Sequence, residues 1–498
     1  MKSTQERFDE FDSRFRELAI RESEASFAMY RGLEHEDLDK IEAETSALWR
    51  EPETRKLAKG KPRSSELRRP VFLLKLGALR NEVEGIEDIY KAKNLCNKML
   101  VEFKPEVDGR PISRSDLGEL LKWDKDAARR RRASGAFVPL EKELHEKVLD
   151  LIDRRNRAAK DLGFESFPHL AFELNELDLD EVKKQLGDLL EQGADSFEEV
   201  LMEQKDQPGM TPGGLLSSDL SFLHENFLPN LPREKFPEER LLGALRKEYL
   251  AVGIDLEKLP IQTVIRDIPA GGFCFTFDPG KDVRILANPR DGQSWYQVLF
   301  HEYGHAVQGS VSKGDGHYLV ALGDPGFFWE AIAVLFEKLA MRKKFLAGYV
   351  DDEGEIERFL DGARKRLAFR IRSLAMDALF EYMLYLDPAP YEELQKRRAA
   401  MIREYYLVEP AVDPPPFTTN IFHITHPCYI QNYVLAEMAA AHLLEASQGG
   451  DPWTPDLAKR IIDELLVPGA MMTWQEKIRR FSGKDLSPEA LVRQLYGG

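Results

Sequence analysis

His301, Glu302 and His305 are the residues of this chain best placed to do chemistry. They lie in Val298-Leu-Phe-His-Glu-Tyr-Gly-His-Ala-Val-Gln308, an H-E-x-x-H pattern. On an α-helix, residues four apart sit only ~40° apart around the axis. His301 and His305 would then point the same way, one turn apart, and could hold one metal ion together. Glu302, beside the first histidine, is placed to act as general base on a water at that metal. The bland alternative is two core histidines with an exposed glutamate.

The pattern requires a helix, and its flanks offer one. Ser294-Trp-Tyr-Gln297 reads as a capping box, with Ser294 as N-cap and Gln297 at N3. Trp295, Val298, Leu299 and Ala306 supply apolar faces. Upstream, Phe273-Cys-Phe-Thr-Phe277 alternates large and small side chains, Asp278-Pro-Gly-Lys281 is a turn, and Val283-Arg-Ile-Leu-Ala287 completes a hairpin. An exposed strand edge beside a metal could align an extended peptide by backbone pairing; a purely structural hairpin is the equal alternative.

Downstream, Asp324-Pro325 predicts an N-cap followed by proline at N1. The helix that follows, Gly326 to Ala340, is apolar around most of its surface and is interrupted by Glu330. A buried carboxylate needs a partner. A metal ion would satisfy it, with Glu337 as the rival ligand and an ordinary ion pair as the alternative for either. Near the end stands Phe422-His423-Ile-Thr-His-Pro-Cys-Tyr429-Ile-Gln-Asn-Tyr433, where Pro427 could open a helix carrying Tyr429, Tyr433 and Glu437 on one face. A histidine and tyrosine pair can hold an oxyanion; an aromatic core stripe is the competing reading.

The remaining chain reads as helix. Residues 1 to about 60 carry Phe8, Phe11, Phe15, Leu18 and Ile20 near helical spacing. Glu51 to Pro70 reads as a loop, and residues 71–104 as helix again. Pro105 to Pro111 breaks the pattern. A helix starting near Ser115 runs into Arg129–Arg132, read as a solvated face paired with acids. A long amphipathic helix follows from Pro139 to about Asn156, with two more to about Lys205. The loop-like stretch 207–216 suggests a boundary between lobes at 1–210 and 211–498. Residues 351–386 are helical, and Pro388, Pro390 and Pro410–Pro416 mark irregular connections.

The chain has 498 residues and a net charge of −16, which argues against a nucleic-acid surface. Three widely spaced cysteines fit a reducing compartment. The polar start has no signal-peptide core, and no run of ~18 apolar residues occurs. The expectation is a cytoplasmic protein with no membrane partner.

Taken together, these pieces resemble the gluzincin metallopeptidases, and most closely the angiotensin-converting enzyme family. That family pairs H-E-M-G-H with a segment like N-P-G-F-H-E-A-I-G-D; here Asp324-Pro-Gly-Phe-Phe-Trp-Glu-Ala-Ile-Ala333 is similar, one residue longer before its glutamate. Gly280-Lys-Asp-Val-Arg-Ile285 resembles its G-K-D-F-R-I, and Phe422-His423…Tyr429-Ile-Gln-Asn-Tyr433 its F-H-V-P…Y-I-R-Y. The resemblance covers roughly residues 270–445. It implies a mostly α-helical, two-lobed peptidase with a deep cleft and a small sheet beside the site. One zinc ion per chain would be held by His301, His305 and Glu330. Glu302 would be the base, His423 and Tyr433 the transition-state donors, and Gly272, Phe273 and Tyr429 substrate contacts, with short peptides as substrates.

Three departures matter. The family's aspartate four residues after the glutamate ligand is Val334, its lysine two residues before the donor histidine is Ile421, and its chloride-linked arginine is replaced by Gln431 or Asn432. The orienter of a ligand histidine must therefore come from elsewhere. The thimet oligopeptidase family, with H-E-x-G-H, the same glutamate spacing and a late His/Tyr segment, is the close second resemblance and implies cleavage within short peptides. A catalytically silent peptide-binding protein of the same fold is the reading from another class. Val334 favours it, and the intact Glu302 opposes it.

Overall fold

The computed structural model of the chain describes residues 2–62, 64–226, 228–268, 271–447 and 452–497. The fold is mostly α-helical. In chain order, the elements that bear on the site are α1 (Thr4–Tyr30), α2 (Val138–Asp161), β1 (Ile261–Ile265), β2 (Gly272–Asp278), β3 (Asp282–Ala287), α3 (Gln293–Val311), α4 (Gly326–Glu337), α5 (Glu353–Leu386) and α6 (Gln431–Glu445). Among the described residues, no helix is long and apolar enough to cross a membrane.

Contacts divide the chain into two units. The first comprises residues 1–82, 231–357 and 435–490; the second comprises 83–230, 358–434 and the stretch from 491. These units interleave in sequence, whereas the lobes expected from sequence are contiguous.

In the first unit, β2 and β3 form the expected antiparallel hairpin, with Phe273 opposite Leu286 and Phe275 opposite Arg284. β1, which was not anticipated, joins β3 in parallel, so the order is β1-β3-β2 and β2 is an edge. Alternation along β2 explains its composition, because successive side chains point to opposite faces. Phe273, Phe275 and Phe277 face α1: Tyr30 stacks on Phe273 at 4.5 Å, and Phe27 meets Phe275 at 5.5 Å and Phe277 at 5.8 Å. The small residues face α3, close enough that a Cβ on Gly309 would overlap Thr276.

α3 and α4 pack at backbone distance through Gly304. A Cβ there would stand 2.8 Å from Ala333 Cα and 3.1 Å from Phe336 Cβ, so only glycine permits this approach. The neighbouring motif residue, Tyr303, shares a 2.7 Å hydrogen bond with Thr263 of β1. Both variable positions of the motif thus fix the helix against its surroundings.

Several expected boundaries move. α3 is capped not by Ser294 but by Gly292, whose φ of 122° turns the chain into the helix two residues earlier; its N–H donates to Phe236 O. Asp324 does not cap α4, since Pro325 is the N-cap; the Asp324 carboxylate instead accepts two bonds from the buried Lys477 Nζ, at 2.8 and 2.6 Å. α4 ends at Glu337, and a 3₁₀ turn carries the chain over Lys338–Met341. The segment read as a loop from Glu51 contains a short helix, Pro52–Ala58, opened by its proline.

In the second unit, the arginine run does not continue the helix that begins near residue 114. Asp126 caps a separate helix, Ala127–Ser134. Arg129 and Arg132 pair with Asp108 as expected of a solvated face, while Arg130 is buried against Asp219.

Candidate active site

α3 places His301 and His305 on one face, and α4 brings Glu330 up to them. His301 Nε2 is 3.5 Å from Glu330 Oε2, and His305 Nε2 is 3.9 Å from Glu330 Oε1. One donor atom from each residue lies within 4.8 Å of the others. Donors held ~2.0–2.2 Å from a tetrahedral zinc stand about 3.3–3.6 Å apart. The cluster therefore has the donor set and nearly the spacing of a zinc site. Three protein donors leave the fourth position open, the mark of catalytic rather than structural zinc.

Glu337, the rival ligand, lies elsewhere. Its Oε2 is 3.3 Å from His301 Nδ1, and its Oε1 accepts from Gln297 Nε2 at 3.4 Å. One imidazole is thus held between two carboxylates of α4, with Nε2 toward Glu330 and Nδ1 toward Glu337. Residues seven apart on a helix share a face, so Glu330 and Glu337 both reach this ring, and Glu337 stands one turn after Val334. A carboxylate on the far nitrogen fixes the ring's tautomer and orientation. Glu337→Gln is therefore expected to weaken zinc binding about 10- to 100-fold. Competition against a chelating dye measures this, and an unchanged affinity would remove Glu337 from the role.

Burial lowers the proton affinity of His301, but the Glu330 and Glu337 carboxylates outweigh it and push its pKa up to about 10. Burial, together with the neighbouring His301 charge, lowers His305 to about 4. Burial raises Glu302 to about 7, against the pull of His301. β2 passes directly over this glutamate: a Cβ on Gly272 would sit 2.8 Å from Glu302 Cγ. Gly272, expected as a substrate contact, adjoins Glu302, while the Phe273 ring, expected as another, is turned to α1 and engaged by Tyr30.

His423, Tyr429 and Tyr433 belong to the second unit. Asn420 caps the short helix Ile421–Thr425, which carries His423. The imidazole is buried, and its Nδ1 lies 3.1 Å from Phe417 O. A carbonyl can only accept, so Nδ1 carries the proton. Burial, with the charges of Arg398 and Arg155, lowers the His423 pKa to about 3 and keeps the ring neutral. Nε2 is then an acceptor, and among the described residues it is buried without a hydrogen-bond partner.

The helix expected from Pro427 begins only at Gln431, because Cys428 adopts φ 55° and turns the chain out of helical geometry. Tyr429 therefore precedes α6, although its ring still meets that of Tyr433, edge on, at 5.6 Å. Glu437, four residues after Tyr433 on α6, accepts from Lys338 Nζ at 3.1 Å.

Two residues that hold this segment were missed. Glu141 of α2 is buried and accepts from Phe417 N at 2.9 Å, Thr418 N at 3.0 Å, Thr418 Oγ1 at 2.8 Å, Thr419 N at 3.2 Å and Tyr391 O–H at 3.0 Å. Arg155, also buried, donates to His423 O at 2.7 Å, to Ile424 O and to Tyr385 Oη. A signal existed. Both charges fall on the buried stripe of α2 formed by Leu144, Val148, Leu151 and Ala158.

Glu381 of α5 is fully buried, and its carboxyl group lies against the Cys428 backbone of the same turn. Burial raises its pKa to about 8, against the pull of the Cys428 backbone and the Arg155 charge; Asp377 adds to the rise. Between the ordinary value of 4.5 and about 8, the folded chain holds this proton and the unfolded chain has lost it. Stability is then expected to be fully present below 4.5 and to fall as pH rises through this window. Urea titrations from pH 5 to 8.5 should show the wild type losing stability relative to Glu381→Gln. Parallel curves would refute the assignment.

Residues 271–496 match the family model of peptidase family M3. This is the thimet oligopeptidase family, which the sequence placed second to the angiotensin-converting enzyme family. No curated protein matches the chain. The matched stretch takes in β2, both helices of the zinc cluster and the His423–Tyr433 segment, and it supports a zinc metallopeptidase.

Proposed function

We propose that this chain is a zinc-dependent oligopeptidase that hydrolyses bonds within short peptides. The observation that carries the proposal is the convergence of His301, His305 and Glu330, with Glu302 adjoining them under the edge strand β2. A zinc ion bound by those three residues would polarise the scissile carbonyl and lower the pKa of water to ~7. Glu302 takes the proton from the attacking water and later delivers it to the leaving amine. The open edge of β2 pairs with the substrate backbone and sets its register. Tyr433, which carries an O–H in its ordinary state, serves as the oxyanion donor. His423 shares that duty only if its proton moves from Nδ1 to Nε2, at the cost of the bond to Phe417 O. Tyr429 lies beside Tyr433 and contacts substrate.

Internal cleavage is favoured over removal of a carboxy-terminal dipeptide. Ile421 stands where the dipeptidase family has the lysine that grips a terminal carboxylate. The reading as a silent peptide binder rested on Val334; against it, Glu337 Oε2 lies 3.3 Å from His301 Nδ1, where a carboxylate can orient that ring. The net charge of −16 and the three unpaired cysteines suit a cytoplasmic enzyme without nucleic-acid partners.

A mixed peptide library digested by zinc-loaded and chelator-treated protein, read by mass spectrometry, tests the proposal. Internal cuts that vanish with chelation are expected. Peptide binding without cleavage by the zinc-loaded protein would establish the silent binder instead.

A further inference from the structure

β2 pairs with β3 on one side, and among the described residues no strand pairs with its other side. Its first residue touches Glu302. A peptide added along that edge, which rests on the reading above, would present alternate side chains to the two faces of the sheet. The face toward α3 carries the zinc cluster. The opposite face is aromatic, built from Phe273, Phe275 and the Tyr30 ring stacked on Phe273. Close to this end of the sheet, large apolar side chains remain open to solvent: Tyr30 is 36% exposed, Met29 39% and Leu33 45%. Apolar surface left uncovered at the mouth of a site asks for an apolar ligand group.

We propose that Tyr30 and Phe273 form a specificity subsite that takes a large aliphatic or aromatic side chain of the substrate. That side chain belongs to a peptide residue whose immediate neighbours point toward Glu302. The subsite therefore selects at one position and is indifferent at the next, as strand alternation requires. α1 supplies it from the far end of the sequence, outside the matched stretch 271–496.

The test uses zinc-loaded protein and peptides that differ only by Phe or Ser, scanned through each position on both sides of the cut. The readout is the ratio of kcat/KM for the Phe peptide to that for the Ser peptide. Wild type should show a ratio of about ten to a hundred at one position, the scale on which apolar pockets discriminate, and a ratio near one at the adjacent positions. Tyr30→Ser should bring the high ratio close to one, and Tyr30→Phe, which keeps the stack, should retain it. A flat scan, or a ratio that survives Tyr30→Ser, overturns the subsite while leaving the peptidase reading intact. Failure of the wild type to cleave any peptide overturns both.

Discussion

Glu302→Gln is expected to keep one zinc per chain and to lose about 10²- to 10⁴-fold in kcat for peptide hydrolysis, the range that general acid–base catalysis supplies. Glutamine has the shape of glutamate, so the close contact with Gly272 of β2 survives and the donors His301, His305 and Glu330 are untouched. Only the basic lone pair is lost. The amide cannot take a proton from water or return one to the amine. Zinc content by elemental analysis and turnover of a fluorogenic peptide must be read on the same sample, because the two roles open to this residue part there. Lost turnover with zinc retained identifies the base. Turnover within a few-fold of wild type would remove Glu302 from the chemistry, and lost zinc would make it part of the metal's support.

What the sequence made legible was local. The four-residue spacing of His301 and His305 needs only a helix. The alternation from Phe273 to Phe277 needs only a strand, and both features lie where the spacing places them. Neither depends on a partner distant in sequence. The misplaced features all do, or they hang on backbone that carries no side-chain signature. Asp324 looked like a cap because nothing nearby announces Lys477, 153 residues on. Ser294 looked like a cap because a glycine entering a helix at positive φ leaves no pattern. Cys428, a non-glycine residue in left-handed backbone, displaced the start of α6 for the same reason. β1 escaped notice because its partner β3 is reached by a parallel crossing, without a hairpin turn. Glu337 was read as a rival ligand because helical phase alone places it beside Glu330. Only the facing imidazole decides which ring nitrogen each carboxylate meets.

Glu141→Ala is expected to cost about 3–5 kcal/mol of stability, the scale for removing one partner from a buried charged network. This carboxylate accepts from three successive backbone amides, a threonine hydroxyl and a tyrosine hydroxyl, in a setting that is buried at Phe417 and Thr418 and half-buried at Thr419 and Tyr391. Alanine removes every acceptor at once, and each orphaned donor costs about 1–3 kcal/mol unless the loop moves to find water. Movement is the costly outcome for function, because Phe417 O is the acceptor that fixes His423. Glu141→Gln should fall between the two, since its remaining carbonyl oxygen can still accept while its amide faces donors. Glu143, exposed on the same helix, is the control; its alanine variant should stay within about 0.5 kcal/mol of wild type. Urea unfolding measures all three. Should Glu141→Ala match the Glu143 control, the loop bearing Thr418 would have to be held by packing alone, and the charge on the buried stripe of α2 would have no part in positioning His423.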